Sequence, residues 1–136
     1  MKPKVFALVF AVSTLGADAA LAHHSFAMYD REKTVTVSGI VKDYVWAAPH
    51  VTIEVLSGMD MPVTWWIEGS SPAVLARGGW TGSLMKPGDT ISLGLHPRKD
   101  GAAGGLLADE QQMLLNGEPP KGVLYLKPHN ARPLVR

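Results

Sequence analysis

Two histidines, His23 and His24, stand directly behind Ala20-Leu21-Ala22. Small residues at the first and third of those three positions are what a signal peptidase reads. Met1-Lys2-Pro3-Lys4 is a short basic opening, and Val5 to Leu15 carries no charge. The pattern predicts a signal peptide over residues 1–22, removed on export to the periplasm or the exterior. Cleavage would leave His23 with a free α-amine beside its own imidazole, and a second imidazole on His24. A free N-terminal histidine chelates a metal through its amine and the nearer ring nitrogen. One further histidine nitrogen completes a T-shaped set suited to copper(II), which takes a tetragonal field of nitrogen and oxygen ligands.

The candidate metal ligands are therefore His23, His24, His50 and His96. His24 is the weaker partner for His23, because adjacent side chains of an extended segment point apart. His50 closes the phrase Trp46-Ala47-Ala48-Pro49-His50, where the proline restrains the backbone just before a strand. His96 ends another strand before Pro97. Each also has a purely structural reading, as a hydrogen-bonded loop residue or a half-buried strand end. Met59 and Met61 offer soft thioethers to copper(I), although two methionines at a turn are commonly apolar filling. A second constellation is aromatic: Tyr44, Trp46, Trp66 and Trp80 are candidates for a ligand-binding platform on which a ring or sugar stacks. Packing at the end of a barrel is the ordinary alternative for Trp66 and Trp80. Glu54 and Glu68 share one strand parity and read as a solvated, ion-paired face with Lys42.

The elements that must position these residues are strands. Val35, Val37, Gly39, Val41 and Val45 alternate with polar partners, a long strand with a bend expected near Gly39. Val51, Ile53 and Val55 form a second strand. Val63, Trp65 and Ile67 form a third, with Trp65 inward and Trp66 outward. Ser70-Ser71-Pro72 starts a helix predicted over 72–77 and ended by Gly78-Gly79. Lys86-Pro87-Gly88-Asp89 suits a type II turn. Ile91, Leu93 and Leu95 mark a fourth strand, and a glycine-rich loop over 100–105 leads to a fifth around 107–115. The order predicts an all-β fold: a small five-stranded barrel like the oligonucleotide/oligosaccharide-binding (OB) barrel, with one short helix between strands three and four. A small sandwich is the rival closure. The barrel domain is expected over 23–118, with a C-terminal extension over 119–136.

Composition narrows the function. The leader removes 22 of 136 residues, including Lys2, Lys4 and Asp18, so thirteen basic and twelve acidic residues become eleven of each. A neutral mature chain of 114 residues gives no electrostatic basis for nucleic-acid binding. Its apolar leader is too short for a dependable membrane span, so no transmembrane segment is expected after processing. Cysteine is absent, which removes thiolate metal sites, disulfides and thiol nucleophiles. The run from Arg98 to Gly105 lacks the ending of a phosphate loop, and neither Ser25 nor Ser83 sits in a nucleophile elbow.

His23-His24-Ser25-Phe26-Ala27-Met28-Tyr29-Asp30, with Val35-Thr36-Val37-Ser38-Gly39, resembles the opening of a family of small exported bacterial proteins catalogued as a domain of unknown function. Trp46-Ala47-Ala48-Pro49-His50, Trp66-Ile67-Glu68-Gly69, Gly79-Trp80, Lys86-Pro87-Gly88-Asp89 and His96-Pro97-Arg98-Lys99-Asp100-Gly101 extend the likeness over about residues 22–117. Ala48 departs from it, since the family often has asparagine there. The resemblance implies export and a compact β-rich fold, and brings no activity or site residues. Separately, a free His23 with one downstream histidine is similar to the histidine brace of copper-dependent polysaccharide monooxygenases and periplasmic copper carriers, an analogy of site alone. The leading expectation is an exported periplasmic binding protein that holds copper through processed His23, with metal handling rather than turnover as its role. A non-metal module binding a small ligand or an envelope protein is one alternative. A copper-dependent redox enzyme is the other.

Overall fold

In the computed structural model, residues 26–108 and 113–123 are described. Six strands and one helix follow in order: β1 (Val35–Val45), β2 (Thr52–Ser57), β3 (Val63–Glu68), α1 (Pro72–Arg77), β4 (Thr90–Pro97), β5 (Gly104–Leu107) and β6 (Leu114–Leu115). The first five close into a barrel in the order β1-β2-β3-β5-β4-β1, and β6 pairs with β4 at Ile91 and Ser92, on the edge that β5 uses further along. Closure depends on the length of β1. Its first half, Val35 to Ile40, pairs with β4, and its second half, Ile40 to Val45, pairs with β2. β3 and β5 run parallel, and the remaining pairs are antiparallel. This is the expected five-stranded, OB-like barrel, with its single short helix between β3 and β4.

Gly39 sits where β1 changes partner. A Cβ there would run into the Leu56 carbonyl, so only glycine allows the strands to cross so closely. The expected bend near Gly39 is accompanied by a register shift between Val41 and Asp43. That bulge reverses the alternation. Tyr44 turns toward the core, and Val45, expected inside, becomes exposed.

The core is the barrel lumen, filled by Val37, Val41, Val55, Ile67, Leu93 and Leu95 among others. Leu75 from α1 and the neighbouring Trp80 and Met85 join the same cluster. The helix begins as its sequence requires, with Ser71 in an extended conformation at the N-cap and Pro72 in the first turn. The Ser71 hydroxyl makes no capping hydrogen bond; its carbonyl accepts instead from the Val74 and Leu75 amides. Gly79, at φ +84°, releases the chain from the helix. The Lys86–Asp89 turn forms with Gly88 at φ +94° and the Asp89 amide bonded to the Lys86 carbonyl at 3.1 Å. The fifth strand differs most from expectation. It begins inside the glycine-rich loop, at Gly104, and ends at Leu107. Cβ atoms on Gly104 and Gly105 would lie only 2.8 Å from the Trp66 carbonyl oxygen and 2.5 Å from the His96 carbonyl oxygen. The glycines are thus the strand's means of fitting between β3 and β4.

Candidate functional site

Glu68 is the last residue of β3 and points to the outer face of the barrel, where the sequence places a solvated carboxylate. It is instead 5% exposed. The segment before β1 covers it. Asp30 donates its amide to the Pro97 carbonyl (2.8 Å), and the Met28 carbonyl accepts the Lys99 amide (2.9 Å). Lys99 Nζ reaches the Ala27 carbonyl (2.9 Å) and His96 Nδ1 donates to the Lys33 carbonyl (2.7 Å). These contacts strap residues 27–33 to the end of β4 and the loop that follows it. They carry Tyr29 into the molecule, where its hydroxyl donates to Glu68 Oε2 at 2.7 Å.

His50 approaches Glu68 from the other side. The loop joining β1 to β2 is tied to the end of β3 by Val51 N–H to the Ser70 carbonyl (3.1 Å) and Gly69 N–H to the Val51 carbonyl (2.7 Å). His50 Nε2 then lies 3.4 Å from Glu68 Oε1. The Phe26 ring meets the imidazole edge-on, with centroids 5.7 Å apart and planes at 84°. Nδ1 of His50 is buried and has no hydrogen-bond partner among the described residues. A buried carboxylate is tolerable only where donors replace lost water, and the Tyr29 hydroxyl donates to this one. Burial, followed by the bond to Glu68, pushes the Tyr29 phenol well above its ordinary range, with Arg98 acting in the opposite sense. Tyr29 is thus a neutral, fixed donor.

His96 belongs to the same outer row. Cross-strand register runs from Glu68 on β3 to Leu106 on β5 to His96 on β4, so a whole strand separates the carboxylate from His96. His50 flanks Glu68 on the opposite, β2 side. The structure gives the two histidines separate partners and does not gather them. Among the described residues, no three His, Cys, Asp or Glu side chains assemble as a metal-holding group. His23 and His24 lie outside the described residues. A small cleft of about 150 Å³ adjoins the cluster, lined by Phe26, Arg31, Ser70, Leu106 and Leu107.

The four aromatics are also divided. Trp80 is 6% exposed in the core. Tyr44 and Trp46 are tilted against one another at 6.2 Å, and the Tyr44 hydroxyl is spent on the Thr81 carbonyl (2.8 Å). Burial pushes the Tyr44 phenol well up. Trp66 is 40% exposed, on the outer face of β3 beside Gly104. Trp66 remains the aromatic of the four with an open face. Lys42 pairs with Glu54 at 3.3 Å, as the strand parity suggests. Met59 and Met61 are fully open at the β2–β3 turn. Below them lies an apolar groove of about 510 Å³ between Ile40, Leu56 and Ile91.

Sequence reasoning missed Glu68, Tyr29 and Phe26 as members of one cluster. Their signal is the pair of aromatics, Phe26 and Tyr29, in the short segment before β1, since rings in such an arm need a surface to cover. The fold and cluster together define a small closed barrel with a strapped N-terminal arm and, on its outer wall, a buried tyrosine–glutamate pair flanked by a partly buried histidine. Residues 11–112 match the family of unknown function DUF6152, and the chain belongs to that family. No curated protein matches the chain.

Proposed function

We propose that this is an exported copper-binding protein of the periplasm, which holds the metal through the α-amine and imidazole of processed His23 and through His50. The observation that carries this reading is Nδ1 of His50, buried and without a hydrogen-bond partner among the described residues. A buried imidazole nitrogen with no partner costs a hydrogen bond. A Lewis-acidic ion resolves that cost. Phe26 packs on this imidazole, and His23 is three residues upstream, a span of at most about 10 Å. The strap from Ala27 to Lys33 anchors that approach to the barrel. Copper(II) suits a site of neutral nitrogens lacking any thiolate. Within this reading His96, with Nδ1 committed to Lys33, has only Nε2 to offer and takes no part in the primary set.

The test is a copper(II) titration of the protein with its N-terminus at His23, verified by intact mass, against a form with one residue added before His23. One tight site with a nitrogen-dominated spin-resonance signal is expected, lost in the extended form and in His50→Ala. Equal, weak binding by all three would overturn the proposal. The apolar groove beneath Met59 would then favour the second reading, a module that binds an apolar ligand or an envelope protein.

A further inference from the structure

β6 is a short strand, joined to β4 through the pairs Ile91–Leu115 and Ser92–Leu114. The residue after it, Asn116, secures the end. Its backbone N–H donates to the Thr90 carbonyl (2.8 Å), its Oδ1 accepts the Thr90 amide (3.0 Å), and its Nδ2 donates to Asp89 Oδ1 (3.1 Å). Asp89 is 8% exposed, so this last bond reaches a carboxylate largely withdrawn from water. The latch also shapes the apolar groove, since Leu114 and Gly117 line it together with Ile40 and Leu56.

Asn116 is followed by Gly117, and both are exposed. An asparagine amide beside a glycine is open to attack by the glycine's backbone nitrogen, because no side chain shields that nitrogen. Asn116 has φ 53° and Gly117 φ +86°, and nothing lies within 4 Å of the place a Gly117 Cβ would take. The other asparagine of the chain, Asn130, precedes alanine. We infer that Asn116 is a deamidation site, and that its conversion to aspartate releases β6 from β4.

In the reaction, Gly117 N loses its proton and bonds to Asn116 Cγ. The Cγ–Nδ2 bond breaks and the nitrogen leaves as ammonia. Water then opens the cyclic imide at either carbonyl, giving aspartate or isoaspartate. The aspartate reverses the sense of the latch: in place of an N–H donor, a carboxylate oxygen faces Asp89 Oδ1. Two carboxylates sharing a site disfavour one another's charge, and oxygens that only accept leave Asp89 one donor short. The Lys86 ammonium, 3.0 Å from Asp89, offsets one of the two charges. Glu118, tied to Leu115 through its backbone, adds a further negative group nearby. Isoaspartate adds a methylene to the backbone inside the same Leu115–Glu118 turn. Ring closure takes the amide away from Thr90 and Asp89, so the closed latch slows the reaction and a loosened one speeds it.

The test ages the protein in mildly alkaline buffer and follows residue 116 by peptide mass spectrometry, which separates an amide from a carboxyl. The urea-unfolded chain sets the unhindered rate. Native protein is expected to convert several-fold more slowly, and Asp89→Asn at a rate between the two. Native Asn116 left intact once the unfolded chain has converted completely would overturn the assignment. Hydrogen exchange then compares wild type with N116D, the conversion product, and with D89N/N116D, which exchanges donor and acceptor. In that double variant, the amide introduced at position 89 donates to the carboxylate introduced at position 116. Every measurement is made without metal, so the outcome is independent of the copper reading. N116D should raise exchange over residues 113–118 by about tenfold or more, as for a lost hydrogen bond to a charged group. The double variant should recover much of the protection that N116D loses. An N116D protein as protected as wild type would overturn the inference, as would a double variant no better protected than N116D.

Discussion

Glu68 and Asp89 are the two buried carboxylates among the described residues, and their surroundings assign them different tasks. Asp89 lies in the turn before β4 and accepts from the Lys86 amide (2.9 Å), the Lys86 ammonium (3.0 Å) and the Asn116 amide group (3.1 Å). Those donors, the Lys86 backbone first, hold its carboxyl below the usual carboxylate range. Such a group stabilises the fold above the unfolded value of about 3.9, and that contribution disappears as pH falls through the lowered folded value. Asp89→Asn is therefore expected to lower the urea midpoint at neutral pH, with the gap from wild type closing as the solution is acidified toward about pH 3. A constant gap across that range would show that charge is not what Asp89 contributes. Lys86, Pro87, Gly88 and Asp89 are consecutive, so this site is local and the sequence discloses the turn. Glu68 lacks any such local disclosure. Its period-two position is that of an outward residue, and it is outward; what changes its character is an arm 39 residues away in sequence that lies across it.

The elements follow a similar division. The helix is bounded by residues within its own span, Ser71-Pro72 at one end and Gly78-Gly79 at the other, and it occupies 72–77 as the sequence predicts. Leu75 is its buried residue, and Leu75→Ala is expected to cost about 2–5 kcal/mol in chemical denaturation. A loss below half a kilocalorie would mean that the helix does not seal the lumen. β1 is less legible. Its bulge between Val41 and Asp43 has no marker in the run Val41-Lys42-Asp43, because it answers to the curvature of a strand with two partners. Hence the alternation before the bulge predicts burial correctly and the alternation after it fails at Tyr44 and Val45. Gly39 carries the same curvature. Gly39→Ala would press a methyl group on the Leu56 carbonyl, and a loss of about 1–3 kcal/mol is expected, the usual penalty for overpacking. A variant as stable as wild type by thermal unfolding would show that the β1–β2 crossing relaxes freely.

At the scale of the whole molecule, the barrel and the arm that crosses it form one unit, so a metal held between His23 and His50 would bind the folded state and link its two parts. Copper(II) at about 100 times its dissociation constant should then stabilise the mature protein by about 2.7 kcal/mol. The form extended by one residue should gain much less, as read from denaturant midpoints. Equal gains would place the metal away from the N-terminus. The sequence by itself determines the all-β class, the five-strand order with its helix, the turn positions and the family likeness, because alternation, caps and glycine turns are encoded by neighbouring residues. It also brings forward His50 as a candidate ligand, from its loop position. Only the tertiary structure decides which outward residues are wet. Closure of β1 onto both β2 and β4 sends Trp80 into the core and turns Tyr44 inward, and the strap over the end of β4 buries Glu68 between Tyr29 and His50. Those outcomes depend on contacts between residues far apart in the chain, and no periodicity records which distant segment will cover a given face.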